Sequence, residues 1–225
     1  MTIITISGHY GSYMQDIASG VSIRLRAPLA EQAEILNEVA QRLRVPVDMV
    51  AELNQLPTSF LGRVWFSLLR GAQFTGRTGY FPGGPMGVVS FPGAMPFVDE
   101  AAFRDTYQEA VRSRALAPNV VFSVRGAQVI LREHPRAFHV LITAPLGTRL
   151  ERIMTDDGLG EKEALRRIRA ADGQRKAFVK RYFGADFERP DLYDAVVNTD
   201  GIWCDKAVET ILRMAGDTPS LSVAF

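Results

Sequence analysis

The chain has 225 residues and a formal net charge of +1, with 47% hydrophobic and 23% charged residues. That balance suits one globular α/β domain and creates no overall field that would recruit nucleic acid or an acidic membrane. The lone cysteine, Cys204, excludes an internal disulfide, a CxxC motif and a Cys/His zinc site.

The first residues, Met1 to Ile6, lack a basic start and a long apolar run. No stretch approaches the length of a membrane span, so a cytoplasmic location is expected. Ile3 to Ile6 is a short β-branched run that stops at Ser7-Gly8-His9-Tyr10-Gly11-Ser12, as a buried parallel strand does before a helix. Met14 to Leu25 then reads as a helix with Ile17, Val21 and Leu25 on one face. Pro28 to Ala30 suits a short extended segment. Ala33 to Leu43, Val47 to Leu53 and Phe60 to Leu69 suit helices.

Gly71 to Pro96 is dense in glycine and proline and interleaved with Phe74, Tyr80, Phe81 and Phe91. It fits either a surface loop or hairpin, or a substrate or subunit-contact loop. On the second reading, a homo-oligomer formed through the insert at 71–97 is one expectation. Regular patterning resumes with a helix over Asp99 to Leu116 and strands at Asn119 to Val124 and Phe138 to Thr143. Helices follow at Leu146 to Met154 and Glu161 to Phe183, then a strand at Ala195 to Asn198 and a helix from about Asp205 to Ala215. Strands alternating with helices predict a parallel sheet covered on both faces. No internal repeat is present.

Ligands of such sheets bind beyond the carboxyl ends of the strands. Ser7 to Gln15, Arg125 to Gln128, Ala144 to Arg152 and Asn198 to Gly201 leave those ends. The first is a natural phosphate loop, because backbone N–H groups and a helix N-terminus hold anions. Gly8 fits the opening of a Walker A pattern, but Tyr13, Met14 and Gln15 stand where its second glycine, lysine and hydroxyl belong, so a plain strand-to-helix turn remains open. Arg125 can grip a phosphate or pair with a surface carboxylate. His9 can donate to an anion or to its own turn. Arg149 and Arg152 lie one helical turn apart, and Arg166, Arg167, Arg169, Arg175, Lys176, Lys180 and Arg181 follow, with Asp172 and Arg175 as i, i+3 neighbours. Cys204 suits a helix start better than a nucleophile, and the sequence holds no metal-ligand cluster.

These segments, in this order, resemble the cytidylate kinase-like family. The opening Ile3 to Ala18 is similar to the family's ITISREYGSGGREIA. Pro28 and Glu31 match a proline and an acidic residue in its next segment. Ser123 to Leu131 resembles its GRGA-x-x-IL segment, and Ala144 to Met154 its APLxxRxERIM stretch. Asp157 to Ala164, Asp172 to Arg175 and Tyr182 to Gly184 follow its lid pattern, and Tyr193 to Asp200 its closing strand. The resemblance covers nearly all of the chain except the insert and the end.

It implies a P-loop kinase-like three-layer sandwich, α/β with a parallel sheet and a helical lid over 149–184, in one domain of residues 1–216 with a tail at 217–225. It also implies ATP with Mg²⁺ and phosphoryl transfer to a nucleoside monophosphate, CMP or dCMP. Gly8, His9, Gly11 and Ser12 would then belong to the ATP phosphate loop, and Glu31 and Arg125 would face the acceptor. Arg149, Arg152, Asp172 and Arg175 would close over the phosphates, with Arg125, Asp172 and Arg175 as the catalytic set. Asn198 and Thr199 would lie near the adenine.

The sequence departs from the family at Tyr13-Met14-Gln15, where the family has Gly-Gly-Arg, and at Val124, where it has glycine before the arginine. Those departures leave two readings, an active nucleotide kinase and a degenerate kinase fold that senses nucleotides or binds a partner. The aromatic insert and the apolar tail Leu221 to Phe225 also suit the second.

Overall fold

A computed structural model describes residues 2–54 and 98–217. The expected helix at 60–69, the Gly/Pro-rich insert and the apolar tail lie outside the described residues. Among those described, five parallel strands form one sheet. In chain order the elements are β1 (Ile3–Gly8), α1 (Met14–Leu25), β2 (Leu29–Glu31), α2 (Gln32–Leu43), α3 (Val47–Asn54), α4 (Glu100–Arg114), β3 (Val120–Ser123) and α5 (Ala127–Ile130). They continue with β4 (Ala137–Thr143), α6 (Leu146–Asp157), α7 (Glu161–Phe183), a 3-10 turn (Pro190–Leu192), β5 (Ala195–Asn198) and α8 (Cys204–Asp217).

The sheet order is β2-β3-β1-β4-β5. After β1 the chain crosses to β2 and returns through β3. It then passes over β1 to β4, so the carboxyl end of β1 lies where the winding changes sides, the place at which open α/β sheets bind ligands. Strand alternation sends side chains to two separate cores. Ile3, Val120, Phe122 and Leu141 pack with α2, α3, α4 and α7. Ile4, Ile6, Val121, Val140 and Ile142 pack with α1 and α8. Both faces are therefore covered, which explains why β1 and β4 are buried almost throughout, the polar Thr5 and His139 included. A third, smaller cluster joins Ile153, Ala164 and Ile168 of the α6–α7 hairpin to Tyr10, which seats the hairpin over the loop after β1.

The predicted strands and helices recur with ends shifted by a residue or two, except that α6 runs three residues past Met154 to Asp157, where Gly158 turns left-handed and stops it. Asp99, read as the first residue of α4, caps it, accepting from the Ala102 N–H at 3.0 Å. The segment at Pro28 to Ala30 becomes an edge strand, and this brings Glu31 to the ligand-binding end of the sheet.

Candidate active site

Gly8 ends β1 in register with Ile142 of β4. The loop that follows is built on its own backbone. Ser12 Oγ donates to the His9 carbonyl at 2.7 Å, and the Ser12 N–H reaches the same oxygen. Gly11 has φ +80, and a Cβ there would meet the Arg149 carbonyl oxygen at 3.0 Å, so the loop can pass beneath α6 only with glycine at this position. Ser12 is buried and its hydroxyl faces inward, so it serves the loop's shape.

Tyr13 has φ 59, the left-handed conformation, at the start of α1. Its ring lies under the Arg152 guanidinium, 4.4 Å from the ring centroid. Met14 packs into the α1–α8 core, its Sδ accepting from Ser123 Oγ. Gln15 Nε2 donates to Glu31 Oε1 at 2.5 Å while its Oε1 accepts from Ser123 Oγ at 2.8 Å. The three residues that break the loop pattern therefore send their side chains to α6, to the core and to the end of β2.

The α6 arginines grip the loop itself. Arg149 donates to the Ala144 and Tyr10 carbonyls, both at 3.1 Å, and pairs with Asp172 at 2.6 Å. Arg152 donates to the Gly11 carbonyl and to Oγ1 and the carbonyl of Thr199. Thr199 is 1% exposed and lies within 3.2 Å of both the Ser12 and Thr143 carbonyls, so its side chain ties the end of β5 to the loop. Asn198 is exposed, and its side chain accepts from the Asp200 N–H within a turn. His9 bonds Glu188 at 3.0 Å and stacks edge-on against Phe187, a long-range partnership in place of a contact within its own turn. Glu188 also pairs with Lys176, and the hydrogen bonds from Lys176 and then His9 hold its carboxyl below the usual range.

On the other side of β1, Arg125 leaves β3 at the cleft. Its Nη1 donates to the Asn54 carbonyl at 2.7 Å, with Asn54 Oδ1 at 3.3 Å, so its partner is a backbone oxygen and an amide in place of the surface carboxylate that was one expectation. Its own N–H donates to Gln32 Oε1 at 2.9 Å, and the buried Tyr107 hydroxyl donates to its carbonyl at 2.9 Å. Burial lowers the Arg125 pKa. Arg175 projects from α7 into the same cleft. Burial, and next the positive charge of Arg125, push its guanidinium down to about 10. Its Nη1 is buried and meets no hydrogen-bond acceptor among the described residues, with the nearest Asp172 oxygen 3.8 Å away. A guanidinium made costlier to charge by burial and by Arg125, and left with an orphaned buried N–H, forms a site that fits an added anion.

The remaining cations of α7 do not join this site. Arg166 pairs with Glu163, Arg167 with Asp157 and Glu163, and Arg181 with Glu100, all on exposed faces. Among the described residues no three His, Cys, Asp or Glu side chains gather to hold a metal, and no helix is long and apolar enough to cross a membrane. Cys204 begins α8, and burial raises its thiol, contrary to what a nucleophile needs. Gln32, Asn54, Tyr107 and Tyr193 join the candidate site with no local signature. They matter because the fold sets them against Arg125 and Arg175.

The sequence matches the model of the cytidylate kinase-like family over residues 3–201. It is 36% identical over 76 residues to a cytidylate kinase of Ignicoccus hospitalis, a match that covers 34% of this chain and 44% of that protein, so under half of that relative's length is spanned. The crystal structure of an uncharacterised protein from Eubacterium ventriosum superposes with a TM-score of 0.63 at 18% identity, covering 96% of this chain and 99% of that one, and shares the fold. With the family pattern matched from β1 to the turn after β5, this chain belongs to the cytidylate kinase-like family.

Proposed function

We propose that the chain transfers the γ-phosphoryl group of ATP to a nucleoside monophosphate, CMP or dCMP. The observation that carries this reading is the Arg125–Arg175 cleft at the carboxyl end of β1, with its buried, unpartnered Nη1. Phosphoryl transfer depends on positioning and charge stabilisation, and a guanidinium pair facing a phosphate loop provides both. When bound, ATP–Mg²⁺ supplies the phosphoryl group and neutralises part of the charge on its phosphates. Mg²⁺ ordinarily takes one or two carboxylates, waters and the phosphates themselves, so a metal cluster built by the protein alone is not required.

In this reading Arg125 holds the acceptor phosphate and Arg175 stabilises the transferring group. Asp172 acts through Arg149 and Arg175. Glu31, aligned by Gln15, faces the acceptor. Gly8, His9, Gly11, Arg149 and Arg152 form the donor side, and Ser12, Asn198 and Thr199 shape it.

A second reading, nucleotide binding without turnover, draws on the α6 arginines, which are engaged by loop and strand-end oxygens. A coupled assay of ADP formation with ATP, Mg²⁺ and CMP or dCMP separates the two. Turnover that depends on the monophosphate and drops by about 10² to 10³ in Arg125→Ala is expected. Folded protein that binds ATP and turns over none of these acceptors establishes the second reading, and absence of nucleotide binding removes both.

A further inference from the structure

We propose that the Asp172 carboxylate is a resident anion in the phosphate loop, an autoinhibitory contact that an incoming phosphate chain must displace. The inference rests on the phosphate site proposed above. Oδ1 of Asp172 accepts from the Tyr10 N–H of the loop at 2.8 Å. Oδ2 accepts from Arg149 Nη1 at 2.6 Å, and Arg175 Nη1 stands 3.8 Å from Oδ1. A loop amide and two guanidiniums are the donors that a phosphate loop offers to a phosphoryl group. Here they surround a side chain of the protein, and the Arg149 and Asp172 side chains are only 11% and 12% exposed.

The fit is incomplete. Oδ1, engaged by Tyr10, stands 3.8 Å from Arg175 Nη1, too far to accept from it, so Nη1 is left buried without an acceptor among the described residues. A tetrahedral phosphate has a third oxygen for it. A phosphate entering beside an ionised Asp172 meets a like charge at close range in a partly desolvated site, so the two anions exclude each other.

Displacement involves more than one side chain. Asp172 lies mid-way along α7, and the α6–α7 hairpin also holds the loop through Arg149 to the Tyr10 carbonyl, Arg152 to the Gly11 carbonyl, and the packing of Tyr10 against the hairpin's small core. Moving the carboxylate out of the loop therefore requires these contacts to loosen with it, so the hairpin shifts relative to the loop. Occupancy by phosphate and release of the hairpin become a single equilibrium.

Titration calorimetry with inorganic pyrophosphate, at fixed ionic strength, tests this in the wild type and in Asp172→Asn. The amide keeps one oxygen for the Tyr10 N–H and removes the charge. Pyrophosphate binding about tenfold tighter or more in D172N is expected. Equal or weaker binding overturns the proposal, because it is what a residue that only orients Arg149 and Arg175 would produce. Should D172N fail to fold, the wild type decides. During a pyrophosphate titration the Tyr10 amide and the Asp172 carboxyl carbon are expected to shift together in NMR spectra, and an unmoved Asp172 resonance at saturation overturns the proposal.

The outcome is separable from the kinase reading. Unchanged or weaker D172N binding with intact CMP-dependent turnover in the wild type removes only the resident anion. Tighter D172N binding with no turnover in either protein removes only the kinase.

Discussion

Tyr13 holds a backbone conformation, φ 59, that costs an L-residue roughly 1–2 kcal/mol and a glycine almost nothing. The position keeps the geometry of a glycine with a tyrosine in place because the ring recovers energy by lying under Arg152. Ring and backbone contributions separate in a pair of variants. Tyr13→Ala keeps the strain and loses the ring, whereas Tyr13→Gly loses both. Tyr13→Gly should be the more stable of the two by about 1 kcal/mol in urea unfolding, and the reverse order would show that the strain is relieved elsewhere.

His139 sets a pH dependence. Burial in β4 pushes its imidazole below the ordinary 6.5, against a smaller opposing pull from Asp194. The folded state thus binds fewer protons than the unfolded chain between the two pKa values, and stability present above 6.5 is lost as pH falls through that window. The thermal midpoint should fall between pH 7 and pH 5, with a shallower slope in His139→Gln. An identical slope would assign the effect to other groups, among them His134, which burial also pushes down.

The short helix α5 shows how one element positions the chemistry. Gly126, its N-terminal cap, has φ +78, and a Cβ there would come within 2.3 Å of the Phe183 ring at the end of α7. Since Arg125 is the preceding residue, this close approach sets the distance between the β3 end and the helix that carries Arg175. Gly126→Ala combines backbone strain with overpacking and should destabilise by about 2–4 kcal/mol, with Phe183→Leu recovering part of it in the double variant. An additive double variant would mean that the two residues do not meet.

α7 itself shows why its sequence overstated its role. Eight of its residues are basic, yet the helix turns most of them to solvent, where Glu and Asp partners hold several at little net gain, and Arg175 alone is buried beside a second arginine. Composition counts the cations, and only the rotation of the helix against the sheet selects among them.

At the scale of the molecule, the sheet order puts the proposed donor and acceptor groups on opposite sides of β1, so nucleotide binding should stabilise the whole domain. A ligand at 100 times its Kd adds about 2.7 kcal/mol, which for a chain of this size raises the midpoint by roughly 5–10 °C. ATP and CMP should each raise it. Arg125→Ala should abolish the CMP shift and keep the ATP shift, and loss of both would place Arg125 in the fold's stability instead of the acceptor site.

The order of strands and helices was legible in the sequence because it rests on local periodicity. Apolar β-branched runs make buried strands, and i, i+4 spacing makes helix faces. The candidate site was legible in part, since a parallel sheet presents ligands to its carboxyl ends, and the fold sets Arg125, Arg149 and Arg152 beyond the ends of β3 and β4. What each side chain touches was decided only in three dimensions. Gln32 and Asn54 reach Arg125 across 93 and 71 residues, Thr199 reaches the Ser12 carbonyl across 187, and Asp172 meets the Tyr10 amide across 162. No local pattern encodes such contacts, because they depend on which strands become neighbours and how the helices rotate upon them. The Gly-Gly-Arg that became Tyr-Met-Gln marked the phosphate loop as altered. The tertiary structure decided where the new side chains go: Tyr13 lies beneath Arg152, Met14 packs against Gly8 and the core, Gln15 reaches Glu31, and the Tyr10 amide and Arg149 meet Asp172.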